Sequence, residues 1–260
     1  MTDHQTIVET IIPAKLQEIQ QKENVRILHC VESGSRAWGF ASPDSDYDVR
    51  FIYVRPLKYY LRLEKTRDVI EWQLDDTLDI NGWDLQKALR LLHSSNPTLF
   101  EWNSAPIVYH TTEEWTSLSP IIDKAFRKKV GLHHYLSTAK KNYKEYLTED
   151  SVKLKKYFYV LRPILACRWI LEKQTVPPVL FSELCNACLD EHMVPIVSNL
   201  VRIKKETPEI GYGPRIDVLN EYLEQSIDEI NEILNTLPDD SPVSWEELNG
   251  LFLHAVGVNS

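Results

Sequence analysis

The sequence contains no run of eighteen apolar residues, which is about the shortest length that lets a helix cross a bilayer. Residues 1–12 carry acidic side chains before and within a short apolar stretch, so they lack the apolar core of a secretory signal. We therefore expect no membrane span, no membrane partner and a cytoplasmic location.

Cysteine is scarce as well, with 4 in 260 residues, too few and too scattered for a disulfide framework. Cys185 and Cys188 form a Cys-x-x-Cys pair with His192 shortly after it, and on a helix the three would share a face. A structural zinc site usually needs four ligands, often from two such pairs, and the sequence has no second pair. Core packing is therefore the favoured role of this pair, with metal binding as the alternative.

Basic residues are outnumbered, with 29 Lys and Arg against 38 Asp and Glu and a net charge of −9. Because non-specific affinity for nucleic acid comes from cations that neutralise phosphates, this composition excludes a general nucleic-acid-binding protein. A nucleotide or an RNA can still bind to a local basic patch. The chain is long enough for two domains, and its content of hydrophobic residues, 43%, is ordinary for a soluble protein.

The first part of the chain alternates between helical and strand-like patterns. We predict a helix at 5–23 that contains Pro13, short helices at 57–63, 85–92 and 97–102, and strands at 25–31, 47–54, 69–74, 77–81 and 107–109. Asp84 has the position of a helix N-cap, and Asp75-Asp76 has that of a tight turn. Residues 32–45 are rich in Gly, Ser and Pro, which indicates a loop with room for one helical turn.

Helical periodicity dominates from about residue 113 onward, and glycine is absent between Gly131 and Gly211. The predicted helices are 121–130, 132–148, 151–173, 181–190, 193–206 and 214–236. The expected fold class is α+β: a small mixed β-sheet domain with helices at residues 1–112, followed by an all-helical domain at residues 113–260.

A Gly-Ser turn follows the first predicted strand. Glycine lets the backbone of Gly34 adopt a positive φ and approach a ligand closely. Successive amides of such a turn can hold phosphate oxygens, and the hydroxyl of Ser35 adds a donor. The segment therefore indicates a phosphate-binding turn. Arg36, directly after it, either clamps a phosphate or pairs with Glu32.

Two carboxylates come about ten residues after that turn. Asp46 and Asp48 are i and i+2 on a predicted strand, so their side chains should point to one face. Two carboxylates so close repel each other unless a divalent cation bridges them, and Mg²⁺ prefers a few carboxylates with phosphate oxygens and waters. A phosphate turn beside a paired-Asp metal site is the equipment of phosphoryl or nucleotidyl transfer.

The order of Gly34-Ser35, a spacer and Asp46-Tyr47-Asp48 in an apolar strand resembles the signature of the DNA polymerase β-like nucleotidyltransferase superfamily. That superfamily has a third acid, flanked by apolar residues, on a nearby strand. The resemblance implies Asp79 for this role. Asp84 is the alternative, and we favour Asp79 because Asp84 already has a structural role as a helix cap.

Four longer stretches carry a closer resemblance. They are Gly-Ser-Arg-Ala-Trp-Gly-Phe (34–40), Ser-Asp-Tyr-Asp-Val-Arg-Phe-Ile-Tyr-Val (45–54), Asn-Gly-Trp-Asp-Leu (81–85) and Leu-Arg-Pro-Ile-Leu-Ala-Cys-Arg-Trp-Ile (161–170). They resemble the bacterial nucleotidyltransferases called the RNA repair pathway DNA polymerase beta family, and they span both halves of the chain. The family's name implies a link to RNA end repair, which is an associational argument.

The resemblance implies an enzyme of the EC 2.7.7 class that moves a nucleoside monophosphate from a nucleoside triphosphate such as ATP to a hydroxyl and releases pyrophosphate. Asp46 and Asp48 would bind two Mg²⁺ or Mn²⁺ ions, and Asp79 would bind one of them and help to deprotonate the acceptor. Gly34 and Ser35 would hold the β- and γ-phosphates. The expected acceptor is an RNA 3′ end.

Enzymes of this kind also need cations that hold the triphosphate. Lys155, Tyr159 and Arg162 are i, i+4 and i+7 on one predicted helix, so they share a face, and Pro163 lies within that helix. We predict that Lys155 or Lys156, together with Arg162, contacts the nucleotide. The alternative is a solvated cationic stripe.

Two other functions stay open at this point. One is AMP transfer to a side chain of a partner protein, as in antitoxin members of the superfamily, and the long helical half argues against it because those members are usually much smaller. The other is a module that binds a nucleotide without turnover. The intact carboxylates and the Gly-Ser turn argue against that loss of activity.

Overall fold

The computed structural model of the protein describes residues 4–75, 77–206 and 211–258, so the predicted turn residue Asp76 lies outside the described residues. The chain forms two compact units. The first comprises Met1–Gly34, Asp46–Ala125 and Pro242–Ser260, and the second comprises Ser35–Ser45 and Phe126–Ser241. These units differ from the predicted domains, residues 1–112 and 113–260, at three places, and each difference has a packing reason.

Strands and helices follow one another in the order expected for a mixed fold. The strands are β1 (Arg26–Glu32), β2 (Tyr47–Val54), β3 (Val69–Leu74), β4 (Leu78–Asp84), β5 (Val108–Thr111), β6 (Ser151–Lys153) and β7 (Tyr212–Pro214). The helices are α1 (His4–Thr6), α2 (Ile12–Glu23), α3 (Gly34–Ala37), α4 (Leu57–Tyr60), α5 (Leu85–His93), α6 (Pro97–Asn103), α7 (Glu113–Lys124), α8 (Lys128–Tyr146), α9 (Lys156–Lys173), α10 (Phe181–Cys188), α11 (Val194–Glu206), α12 (Asp217–Thr236) and α13 (Trp245–Ala255).

The first unit contains a five-stranded sheet in the order β3-β4-β2-β1-β5. β2 pairs with β4 in parallel, while β1 with β2, β1 with β5 and β3 with β4 are antiparallel. All five strands that we predicted from the sequence are confirmed, and β5 is an edge strand as expected. β2 lies at the centre of the sheet, and its last four residues are all buried, as a strand covered on both faces requires.

A helical segment covers one face of this sheet and confirms the predicted helix at 5–23. It consists of α1, a π-helical turn at Ile7–Ile11 and α2. Pro13 stands at the beginning of α2, where it removes a backbone donor, and the wider π turn directly before it accommodates this loss. Ile12 and Ile19 are fully buried, and they pack in one core with alternate residues of β2 and β4.

Two helices that were not predicted for the sheet domain belong to the first unit. The ring of Trp115 in α7 stacks on His29 of β1 with a centroid distance of 4.9 Å. The ring of Trp245 in α13 stacks on His93 of α5 at 3.8 Å. These contacts explain why the first unit extends past residue 112 to Ala125 and takes in the C-terminal segment from Pro242.

The second unit is helical apart from the antiparallel ribbon of β6 and β7. Its strands are three residues long, too short for a periodic pattern to show. The ribbon moves the beginning of α9 from the predicted residue 151 to Lys156. The predicted helix at 121–130 is also wrong, because α7 ends at Lys124 and the extended backbone of Arg127 separates it from α8.

Residues 35–45 join the core of the second unit, with Phe40 as their buried aromatic side chain. Phe40 is 3% exposed, stacks on Phe158 of α9 at 4.6 Å and meets the edge of Phe181 of α10 at 5.3 Å. The backbone N–H of Phe181 also donates to the carbonyl of Trp38 at 3.0 Å. None of the helices in the described parts of the chain is long and apolar enough to cross a membrane.

The close approach of β4 to β2 at Gly82 gives a first test of the sheet register. A Cβ at Gly82 would lie 2.2 Å from a ring atom of Phe51, which is 1% exposed and has no room to move. We therefore expect Gly82→Ala to lower the free energy of unfolding by about 1–3 kcal/mol in urea denaturation. In a Phe51→Leu background, which removes the contacted ring, the added cost should be smaller.

Gly250 in α13 supplies the matched control, because a Cβ there meets nothing within 4 Å. Gly250→Ala should stabilise the protein by about 0.5–1 kcal/mol, as expected in an open helix interior. Equal losses for the two substitutions would contradict the register of β2 and β4.

Candidate active site

Asp48 and Asp79 lie side by side on the two parallel strands of the sheet. β2 and β4 pair so that Asp48 is opposite Asp79. Their neighbours Tyr47, Val49 and Ile80 are buried in the core under α2. Because successive strand residues point to opposite faces, the two carboxylates point away from that core. Their side chains are 23% and 28% exposed.

Asp46 directly precedes β2 and is exposed. Within β2 half-buried positions alternate with buried ones from Tyr47 to Arg50, so Asp48 and Arg50 share a face. Among the described residues, no three or more His, Cys, Asp or Glu side chains are grouped to hold a metal ion. The pairing that the structure does show links Asp48 and Asp79 through a cation.

Arg50 is that cation, and the sequence analysis did not single it out. Its Nη2 donates to Asp48 Oδ1 at 2.8 Å and to Asp79 Oδ2 at 2.6 Å. Its Nη1 donates to the carbonyl of Asp79 at 2.7 Å and to that of Val49 at 3.2 Å. The guanidinium thus reduces the repulsion between Asp48 and Asp79, whereas the sequence predicted repulsion between Asp46 and Asp48. Arg50 is i+2 from Asp48, which puts both side chains on one face of β2, and this spacing is the sequence signal by which it could have been identified.

Gly34 brings the backbone of the predicted phosphate turn against Asp48. Its φ is +60°, and a Cβ there would lie 2.0 Å from Asp48 Oδ2. Ser33 N–H donates to the carbonyl of Asp48 at 2.8 Å. Only glycine offers both this backbone conformation and this free space, so the predicted close approach of the turn is present, here to a carboxylate of the protein itself.

Glu32 is a further residue that sequence reasoning missed. Its side chain lies at the end of β1 and is 1% exposed. Its Oε1 accepts from the backbone N–H of Asp48 at 2.7 Å, and its other oxygen accepts from the hydroxyl of Tyr109 on β5. A buried carboxylate is tolerated where donors of this kind satisfy it. Both backbone groups of Asp48 are therefore held by the end of β1 and the residue that follows it.

In the second unit, the predicted residues Ser35 and Arg36 both contact the end of their own segment. Ser35 Oγ donates to Ser45 Oγ at 3.2 Å, and Arg36 Nη2 donates to the carbonyl of Ser45. Lys204 of α11 donates to Ser42 Oγ at 2.8 Å. These bonds, with the buried Phe40, hold residues 35–45 in a defined conformation.

The predicted cations of the helical half lie in two different environments. Lys156 is half-buried, with Nζ 3.7 Å from the ring centroid of Tyr146 and 4.8 Å from that of Tyr159. Its pKa is lowered mainly by burial and further by the positive charge of Lys155. Arg162 is only 4% exposed, and its guanidinium lies 4.7 Å from the ring of Trp38. Lys155, just before α9, is half-buried.

Cys185 and Cys188 lie at the core of the second unit. Cys188 is 5% exposed and belongs to the apolar cluster, and Cys185 packs against it. Burial raises the pKa of Cys185 to about 12 and that of Cys188 to about 11. Both thiols are therefore protonated at neutral pH, in agreement with the packing role.

Asp84, the alternative third acid, is a helix cap as predicted. It is 2% exposed, its Oδ1 accepts from the N–H of Gln86 at 2.8 Å, and its Oδ2 accepts from the hydroxyl of Tyr60 at 2.9 Å. Burial raises its pKa to about 6. Its side chain is fully used by these contacts, whereas Asp79 is partly exposed beside Asp48.

The raised pKa of Asp84 predicts a pH-dependent stability. A raised pKa in the folded state favours the protonated form, so the contribution is present below about pH 4 and is lost as the pH rises to about 6. We expect a fall of about 1–3 kcal/mol in the free energy of unfolding over that range from this group. Asp84→Asn should remove this fall, as measured by urea denaturation at pH 4 and pH 7.

Asp84→Ala is the companion variant. It loses the cap as well as the charge, so a further loss of about 1 kcal/mol relative to Asp84→Asn is expected at both pH values. An unchanged pH profile in Asp84→Asn would show that this carboxyl titrates normally.

The contact between Gly34 and Asp48 predicts a large effect for a single methyl group. Gly34→Ala should destabilise the protein by about 1–3 kcal/mol more than Gly257→Ala in thermal unfolding. Gly257 has a φ of +79° and no atom within 4 Å of an added Cβ, so its substitution carries the same kind of backbone strain without the clash. Similar losses for the two variants would mean that Asp48 does not lie against the turn.

Comparisons with known proteins cover nearly the whole chain. A model of the RNA repair pathway DNA polymerase beta family matches residues 8–254. The uncharacterized protein YcgL of Bacillus subtilis (strain 168) is 45% identical over 246 residues, which cover 93% of this chain and 94% of that protein. Among solved structures, the nucleotidyltransferase-like protein from Exiguobacterium sibiricum 255-15 is 12% identical, with a TM-score of 0.31, over 94% of this chain and 78% of that chain. By the first two comparisons, the chain belongs to the RNA repair pathway DNA polymerase beta family.

Proposed function

We propose that the protein is a metal-dependent nucleotidyltransferase that moves a nucleoside monophosphate from a nucleoside triphosphate to a hydroxyl and releases pyrophosphate. One observation carries the proposal: Asp48 and Asp79 stand at paired positions of two parallel strands, on one face, with the backbone of Gly34 against Asp48. Membership of the family supports the same reaction class.

The carboxylates of the first unit have the donor chemistry that Mg²⁺ and Mn²⁺ prefer. Mg²⁺ is commonly held by one or two carboxylates, with phosphate oxygens and waters as the other ligands. Asp48 and Asp79 are the two that lie side by side, and we assign the exposed Asp46, just before β2, as a further ligand. When bound, such ions would activate the acceptor hydroxyl and stabilise the leaving pyrophosphate. Asp79 is the residue that we assign to accepting the proton of the hydroxyl.

The triphosphate would be held by backbone and cationic groups. The amides and hydroxyl of Gly34-Ser35 are the proposed donors to the β- and γ-phosphates, with Arg36 next to them. Lys155 and Lys156 are the partly exposed cations of the second unit that we assign to the nucleotide. Arg162, which the sequence predicted to contact the nucleotide, is buried against Trp38. We therefore assign to it the role of holding that ring and adding positive charge.

An RNA 3′ end is the acceptor that we propose, in keeping with the name of the family. The chain is acidic overall, with a net charge of −9, so an RNA would have to bind through local cations such as the lysines around Lys156.

Labelled nucleoside triphosphates test the reaction. With Mg²⁺ or Mn²⁺, and RNA with a free 3′ hydroxyl, we expect the label to appear on the RNA and pyrophosphate to be released. Asp79→Asn should lower the rate by roughly 100-fold or more, because a general base and a metal ligand are lost together. Asp84→Asn is the control on the same strand, and its rate should stay within about threefold of wild type.

Each other outcome would change one part of the proposal. Label on protein would replace the RNA acceptor by a side-chain acceptor, as in AMP-transferring relatives. Nucleotide binding without any label transfer, measured as a rise in melting temperature with metal and nucleotide, would mean a binding module. A rate that depends on Asp84 and not on Asp79 would reverse our choice of the third acid.

A further inference from the structure

Arg50 contacts both strand carboxylates that we assign to the divalent metal. One nitrogen, Nη2, contacts Asp48 Oδ1 at 2.8 Å and Asp79 Oδ2 at 2.6 Å, so the two oxygens that face each other share a single donor. The side chain of Arg50 is 17% exposed, which makes these ion pairs stronger than surface pairs. A metal bound to the same two oxygens would have to displace this nitrogen.

We propose that Arg50 is a resident counter-ion that weakens the binding of divalent metal to Asp48 and Asp79 until a nucleoside triphosphate is present. The inference rests on the proposed function, since it concerns the metal site of that reaction. It assigns to Arg50 the role of a gate that couples the metal to the nucleotide.

The charge balance of the cluster supports this role. Asp48 and Asp79 carry two negative charges at paired positions of β2 and β4, and Arg50 cancels one of them. Without nucleotide, a divalent ion competes with the guanidinium for the same oxygens and is repelled by its charge. A triphosphate changes both the competition and the repulsion. Its oxygens add ligands for the metal, and they offer the guanidinium fork a new bidentate partner.

The backbone contacts of Arg50 explain how it is held in this position. Its Nη1 is bound by two main-chain carbonyls, those of Asp79 and Val49, which belong to the paired strands. The side chain therefore returns to the same place whenever the metal leaves. A lysine would keep the charge but could not make these contacts at the same time, since it lacks the planar fork.

Binding of Mn²⁺ measured by calorimetry tests the proposal without any turnover. Without nucleotide, Arg50→Gln should bind Mn²⁺ about tenfold or more tightly than wild type, because the competing charge is gone. An α,β-methylene triphosphate, which cannot transfer its nucleoside monophosphate, should raise the Mn²⁺ affinity of wild type by tenfold or more and that of Arg50→Gln by much less. A purely structural role for Arg50 predicts the opposite sign, namely weaker metal binding in the variant.

Three further samples complete the experiment. Arg67→Gln removes an arginine that donates to a main-chain carbonyl elsewhere in the first unit, and its Mn²⁺ affinity should equal that of wild type. Arg50→Lys should stay within about threefold of wild type without nucleotide, because it keeps the competing charge. Asp48→Asn should lose the binding site.

The outcomes separate the two proposals. If Asp48→Asn loses Mn²⁺ binding while Arg50→Gln binds as wild type does, Arg50 is not the gate and the metal site stands. If no sample binds Mn²⁺ with or without the nucleotide, the metal site and the gate fall together. If Arg50→Gln does not fold, the wild-type protein still tests the proposal. Equal Mn²⁺ affinity of the wild type with and without nucleotide overturns it.

Discussion

The register between β2 and β4 is the constraint on which the candidate site depends. It places Asp48 opposite Asp79, and a slip by one residue would turn one of the two carboxylates into the core. The apolar residues that alternate with these carboxylates make such a slip costly, because they fill the core under α2. Gly82 adds a steric condition, since only glycine fits beside the ring of Phe51. Packing on one face of the sheet therefore fixes the positions of the carboxylates on the other face.

The end of β1 fixes the first of these carboxylates from a second direction. The buried Glu32 accepts from the N–H of Asp48, and the N–H of Ser33 donates to its carbonyl. With Gly34 against the carboxylate, Asp48 has little freedom to move. A carboxylate held in this way needs little reorganisation of its own when a charged ligand binds, which is one condition for electrostatic catalysis. The same segment ends at the turn that we assign to the phosphates.

Much of this arrangement could be predicted from the sequence, because it follows from period-two patterns. The five strands of the sheet were predicted from short apolar or alternating runs, whereas Asp79 was assigned from the resemblance to the superfamily. The three-residue strands β6 and β7 were missed because no periodic pattern is recognisable at that length. The attachment of α7 and α13 to the first unit depends on aromatic stacking between distant residues, on β1 for α7 and on α5 for α13. The burial of Glu32 could not be predicted either, since the sequence does not say which donors will surround a carboxylate.

Arg50 changes the electrostatic interpretation of the site. From the sequence, Asp46 and Asp48 should repel each other in the metal-free protein. In the structure, Asp48 and Asp79 share one half-buried guanidinium, so removing either charge also breaks an ion pair and leaves a buried cation less well satisfied. Under the proposed metal site, the contact that stabilises the metal-free fold is the one that a metal bound to these oxygens would replace. The proposal therefore sets the stability of the metal-free protein against its affinity for metal through a single side chain.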